Sequence, residues 1–244
     1  MIKISGSAAD IDSLNLEYVP GSPGRKIIDI LSSSSNVYNF TSLDQLKFTI
    51  NLRIKIINAS KDLSRTSFSF RIFRKSKCNT DYWIRTDEGG FKLKPGAKPA
   101  SAIRDIYRSS SKYGTECATA MVIVFYKALA DILNDNTFNI TFPYIYLMDW
   151  QNLDRKLNIA TYRSVPDYLP GDCRYFKNPD VNPETPEWQG ENAIDLGNGT
   201  YYGHGIGIRN TDGIINALNR HRAPGSQTSA YLIDSVTRLD FMYP

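Results

Sequence analysis

The most hydrophobic helix-like segment of the chain follows a short polar turn. Tyr113-Gly114-Thr115-Glu116 leads into Cys117, after which Ala118, Ala120, Met121, Val122, Val124, Phe125, Ala128, Leu129, Ile132 and Leu133 nearly encircle a helical axis. A helix that is apolar all round belongs inside a core. The pattern therefore predicts a central buried helix over residues 115–133, with a thiol at its start. A second long segment begins at Ser42 and carries Leu43, Leu46, Phe48, Ile50, Leu52, Ile54, Ile56 and Ile57. Its spacing fits helix and strand almost equally. The β-branched residues pull towards strand, while the length and the Ser42 cap pull towards helix, which is the expectation here. Shorter helices are expected over 25–31, 99–109 and 212–220.

The rest of the pattern is strand and turn. Residues 1–4 read as a short strand, and Pro20, Gly21, Pro23 and Gly24 break any long element across 10–31. Residues 81–85 and 91–93 read as paired strands around Glu88-Gly89-Gly90. After Asn134-Asp135-Asn136 the pattern turns to strands: 144–148, 174–177, then 191–196 and 200–208 joined by the hairpin signal Gly197-Asn198-Gly199. The Pro-rich residues 178–186 form a loop, and 230–233 a last strand or turn. No linker and no internal repeat divides the sequence. The expectation is one α+β domain over residues 1–244, helices first and an antiparallel sheet afterwards.

Composition narrows the function. The 244 residues are 41% apolar and 22% charged, enough for a sizeable core in an ordinary soluble protein. A net charge of +4, spread thinly, argues against nucleic acid as a partner. No window approaches the roughly 18 consecutive apolar residues of a membrane span, and the N-terminus does not read as a signal peptide. Synthesis and residence in the cytoplasm are expected. Cys78, Cys117 and Cys173 are odd in number and far apart, which argues against a disulfide framework and against a zinc site. With only His204 and His221 present, general bases are few.

Cys117 is the candidate nucleophile. Helix-start N–H groups and the helix dipole favour a thiolate there and help hold an oxyanion. His204 lies in the predicted strand 200–208. The glycines at 203, 205 and 207 suit a substrate tunnel or tight packing. The bland alternatives are a Cys117 that is simply a small core residue and a His204 that is a bonded sheet residue. Glu116 reads as a charge favourable to the helix dipole or as a proton carrier for the thiol. Glu191 reads as a solvated strand end or as a carboxyl whose pKa is raised in an apolar site. Cys78 is an incidental surface thiol, and Asp172 beside Cys173 argues against a thiolate there. His221, between Arg220 and Arg222 at a helix end, reads as structural.

Several stretches resemble the bacterial transglutaminases that cross-link endospore-coat proteins. They are 102–106, Tyr113-Gly114-Thr115-Glu116-Cys117-Ala118-Thr119-Ala120, Gly171-Asp172-Cys173-Arg174-Tyr175-Phe176-Lys177-Asn178-Pro179, Trp188-Gln189-Gly190-Glu191-Asn192, Gly203-His204-Gly205-Ile206-Gly207-Ile208, 229–232 and 237–240. The resemblance covers about residues 45–240. It implies a papain-like core of NlpC/P60 type, with a buried helix that carries the nucleophile packed on an antiparallel sheet. It implies Cys117 as nucleophile paired with Glu191, Glu116 as a partly redundant second carboxyl, and His204 in support. Trp150, Trp188 and Phe70 would wall an apolar substrate tunnel. No cofactor, metal or calcium is implied. Substrates would be glutamine- and lysine-bearing spore-coat proteins, met by a monomer in the mother-cell cytoplasm and the spore coat. The alternatives are an NlpC/P60-like cysteine peptidase or amidase using water, and a non-enzymatic coat or scaffold protein.

Overall fold

The computed structural model describes residues 1–241. At the N-terminus β1 (Ile2–Ile4) and β2 (Ser7–Ala8) form a hairpin, α1 (Ile11–Glu17) and α2 (Pro23–Ser33) follow, and β3 (Tyr38–Phe40) returns parallel to β1. Pro20 and Gly21 thus separate two short helices, and Pro23 and Gly24 open the second. Asp10 caps the unpredicted α1, which buries only Leu14 and so has no readable periodicity. Ser22 caps α2, with Pro23 in the first turn.

The ambiguous segment is a helix, α3 (Leu43–Ser64), and Ser42 Oγ accepts the Gln45 N–H at 3.1 Å. Its apolar residues serve two cores. Leu46 and Ile50 pack with α1 and α2, whereas Phe48, Leu52, Ile56 and Leu63 join the central core. Burial on two sides is why the spacing matches no single stripe.

The middle of the chain holds β4 (Ser69–Phe70), β5 (Trp83–Arg85), β6 (Phe91–Leu93), α4 (Pro99–Arg108), β7 (Gly114–Thr115), α5 (Cys117–Ile132), α6 (Asp135–Thr141) and β8 (Tyr146–Leu147). β5 and β6 pair as expected, and β8 adds to them. Asn134 does not lead into a strand; its side chain caps α6 by accepting the Thr137 N–H. Along α5 every residue from Ala118 to Ala130 except Lys127 is buried, as the apolar circumference predicts.

The last third builds a seven-stranded antiparallel sheet. Its members are β9 (Ile159–Arg163), β10 (Cys173–Lys177), β11 (Gly190–Asp195), β12 (Thr200–Gly203), β13 (Gly207–Asn210), β14 (Tyr231–Leu232) and β15 (Ser235–Leu239), with α7 (Thr211–Asn219) after β13. The order is β13-β12-β11-β10-β15-β9, with β14 also on β10. Alternation places Cys173, Ile194 and Tyr202 towards α3 and α5, and Phe176 and Ala193 towards α7. The fold is α+β, with helices on both faces of this sheet.

One expectation fails here. Residues 200–208 are two strands, closed by the pair Gly203↔Gly207, so His204 sits in a tight turn rather than on a strand. Gly205 has φ 107°, and a Cβ there would lie 2.9 Å from the Phe70 ring. The glycines therefore serve the turn and close aromatic packing.

Asp172 ties the layers together. Its fully buried carboxylate accepts from Arg53 of α3 at 2.8 Å, from Arg238 of β15 at 2.8 and 2.9 Å, and from the Leu169 N–H at 2.8 Å. Burial by itself would raise this carboxyl, but Arg53 and Arg238 outweigh it and hold it below the usual range. Asp172→Ala strands the buried Arg53 guanidinium. Its expected cost is about 3–5 kcal/mol, read as a lower urea midpoint.

Candidate active site

Cys117 opens α5, half-buried, and Glu116 immediately before it is the N-cap. The Glu116 carboxylate accepts the Ala118 N–H at 2.6 Å and the Thr119 N–H at 2.7 Å. These are orphan donors that a helix start must satisfy. The Cys117 N–H is left as the first-turn donor that Glu116 does not use. The helix start therefore offers an oxyanion fewer groups than the sequence suggests. The parallel pairing of β4 with β7, Phe70 opposite Thr115, fixes the approach of the chain to this point.

A residue that spacing did not single out touches the thiol. Asn192 Nδ2 donates to Cys117 Sγ at 3.6 Å. Asn192 lies opposite Tyr175 across β10 and β11, and two residues from Ile194, which faces α5. Strand alternation after Gly190 was the signal that could have found it.

Glu191 is only 1% exposed, which removes the solvated strand-end reading. Its carboxyl packs beneath Gly203, where an added Cβ would lie 2.7 Å from Oε1. The His204 main-chain N–H bonds to the carboxylate. Oε1 itself has no hydrogen-bond partner among the described residues. Burial first, then the charge of Glu116, pushes this carboxyl well above the usual carboxylate range. The thiol responds in kind: burial, then the charges of Glu191 and Glu116, pushes Cys117 well above its ordinary value, and Asn192 opposes this only in part. Burial and the two carboxylate charges thus work against the thiolate that the helix dipole favours. Glu116 is also raised, by burial first, with its cap hydrogen bonds working against the shift.

His204 is 3% exposed and stacks on Phe68 with ring centroids 4.6 Å apart. Its Nδ1 lies 3.2 Å from the Tyr202 hydroxyl, and Nε2 has no partner among the described residues. Burial pushes its pKa down to about 4, and the Ser69 and Thr115 backbone offsets only part of this. The imidazole is therefore neutral at ordinary pH, and neither ring nitrogen bonds to Cys117.

Cys117 opens on a cleft of about 930 Å³, shared with Glu116, Asp149, Trp150, Tyr175 and Asn192. Of the three expected wall residues only Trp150 lines it. Phe70 and Trp188 stack on each other at 5.2 Å, and Trp188 stacks in turn on His221 at 4.2 Å. With Phe68 and His204 they form a run of rings rather than cleft wall. The cleft lining is mixed: Ile72, Phe73 and Ile233 sit among Arg74, Lys75 and Glu184. The other thiols lie off the cleft. Cys78 is half-buried and pushed up to about 11 by burial, so it is not the surface thiol expected; Cys173 is buried and pushed up by burial and then by Asp172. Among the described residues no helix is long and apolar enough to cross a membrane, and no group of three or more His, Cys, Asp or Glu could hold a metal ion.

A thiol and an amide donor on one cleft, with the buried Glu191 carboxyl outside the lining but acting on the thiol, suit acyl transfer from an amide, but many amides fit that description. Comparison with known proteins narrows it. The family model described as protein-glutamine gamma-glutamyltransferase matches residues 1–243. A protein-glutamine gamma-glutamyltransferase of Bacillus mycoides is 47% identical over 225 residues, 92% of this chain and 81% of that protein. One from Bacillus anthracis is 46% identical over the same shares. The solved transglutaminase of Geobacillus stearothermophilus, without its C-terminal extension, superimposes with a TM-score of 0.78 at 49% identity, covering 82% of this chain and 95% of that one. Since the match runs through α5, β11 and the rest of the fold, the chain belongs to the protein-glutamine gamma-glutamyltransferases and is an acyltransferase that cross-links proteins between glutamine and lysine side chains.

Proposed function

We propose that Cys117 carries the acyl group as a thioester and that Glu191 moves the protons. The observation behind this reading is the buried Glu191 carboxyl, its Oε1 unbonded, with a charge felt at the Cys117 thiol. Glu191 as carboxylate takes the thiol proton while sulfur attacks the glutamine carboxamide carbon. The tetrahedral oxyanion is held by the Cys117 N–H and the Asn192 side chain. Glu191 then gives its proton to the departing nitrogen, and ammonia leaves. A lysine side chain that has released its ammonium proton to solvent attacks the thioester as the free amine; Glu191 takes a proton from the attacking nitrogen and passes it to sulfur as the C–S bond breaks, which gives the isopeptide and restores the thiol. Glu116 shapes this chemistry through its charge and its cap, and serves as the second carboxyl. His204 supports from behind, as a neutral ring that anchors the turn over Glu191. Trp150 walls the substrate path, and Phe70 and Trp188 brace it from their stack.

On this reading the helix-on-sheet arrangement of Cys117 is a papain-like, NlpC/P60-type core, and the chain works as a single catalytic domain and as a monomer without calcium. Its substrates are glutamine- and lysine-bearing proteins of the spore coat, met in the mother cell. Hydrolysis in the manner of a cysteine peptidase would need a Cys–His pair, which a ring stacked on Phe68 and bonded to Tyr202 does not favour.

The test is intact-mass measurement after incubation with a glutamine peptide and no amine. The expected adduct has the mass of the peptide less ammonia, maps to Cys117, and disappears when amine is added. An adduct on another residue would refute the assignment.

A further inference from the structure

Asp149 is the one residue of the cleft with an unusual backbone and an unused charge. Its φ is 48°, the left-handed region, where a non-glycine residue is uncommon and mildly strained. Its N–H donates to Thr119 Oγ1 at 2.7 Å, and Thr119, 1% exposed, lies two residues after Cys117 on α5. The helix that positions the thiol therefore also positions Asp149. The carboxylate makes no hydrogen bond or ion pair among the described residues, yet its charge reaches Glu116. Trp150 follows it in sequence and lines the same cleft.

The reaction requires a cation to enter this cleft, because a lysine side chain arrives as an ammonium. Arg74, Lys75 and Arg163, also on the lining, repel it. Of the other carboxylates there, Glu116 is taken up by the Ala118 and Thr119 N–H groups it caps, Glu187 acts on His221 on the Trp188 side, and Glu184 is exposed. Asp149 is half-buried beside the thiol's own helix. We infer that Asp149 is the specificity residue for the acceptor: its carboxylate docks the incoming lysine ammonium, and the Trp150 indole covers the alkyl chain and adds a cation–π contact. This rests on Cys117 being the thioester site, and assigns the acceptor side of that site to the Asp149-Trp150 corner.

The test separates charge from scaffold by comparing two acceptors at saturating glutamine peptide. Fluorescent cadaverine is a cation at neutral pH, whereas hydroxylamine is uncharged there. In Asp149→Asn the KM for the cadaverine rises about tenfold or more, the loss of one charge-assisted contact. The KM for hydroxylamine and that for the glutamine peptide stay within about twofold. Asn also accepts the left-handed backbone. Asp149→Gly, which removes the strain as well as the charge, shows the same split with an undiminished melting temperature. An equal loss with both acceptors, or none with either, overturns the inference. A failed Cys117 assignment shows separately, as hydroxamate formation that survives Cys117→Ala.

Discussion

Cys117→Ala incorporates no measurable fluorescent amine into a glutamine-bearing protein, a loss of at least about a thousandfold, because among the described residues no other thiol lines the cleft to form the thioester. Cys78 and Cys173 are raised by burial and do not line the cleft. The fold should survive. Cys117 is half-buried at the first position of α5, and the cap on that helix comes from Glu116, which the variant keeps. The melting temperature should therefore move little while activity disappears. A variant that unfolds and a variant that lacks its nucleophile are thus told apart in one pair of measurements. The raised thiol adds a second expectation for the wild-type protein. Alkylation of Cys117 by iodoacetamide is slow at neutral pH and accelerates as pH rises, because the thiolate is the nucleophile. Slow alkylation is consequently not evidence for a passive, packed cysteine. Retained amine incorporation in Cys117→Ala would sink the assignment.

The hydrophobic pattern fixed some parts of this molecule and was blind to others for physical reasons. α5 was legible because burial on all sides leaves an apolar circumference, which only a central helix shows. The β5–β6 and β11–β12 hairpins were legible because their turn residues announce them. α1 and α6 were not, since seven-residue helices with one buried side chain each carry no period, and only Asp10 and Asn134 mark their starts. The edge strand β9 is half-buried to exposed, so it does not alternate. At the site, sequence could name carboxylates and a histidine, but not which side of a strand each one faces. Asn192 was hidden behind its charged neighbour. His204 was misplaced because a glycine-rich run reads as one strand when a turn divides it. The electrostatics of the thiol were half legible: the dipole is visible in a helix start, whereas the opposing burial and the charges of Glu191 and Glu116 depend on the assembled fold.

Glu191→Gln lowers kcat for amine incorporation by about a hundredfold or more, the range expected when a general acid–base is lost, while His204→Gln costs less than about tenfold. The pH profile shows why these differ. Glu191 works as a base only when deprotonated, and burial and Glu116 raise its pKa. The acid limb of the wild-type profile should therefore lie above the usual carboxylate range. If His204 set that limb, it would fall near its own pKa of about 4. Glu116→Gln removes a negative charge that holds the Glu191 proton on, so it shifts the limb to lower pH. His204→Gln leaves the limb where it is. Stability moves in the opposite sense to activity. A carboxyl raised on folding contributes stability that is fully present below its unfolded pKa of about 4.3 and is lost as pH rises through the folded value. Glutamine carries no such charge, so the melting temperature of Glu191→Gln relative to wild type should climb as pH is raised across that window. A catalytically dead variant that becomes relatively more stable with pH is what a desolvated working carboxylate requires. A structural glutamate, held as an anion by hydrogen bonds, would give the reverse trend. Should His204→Gln prove the more damaging change, with an acid limb near 4, the proton carrier is the imidazole after all.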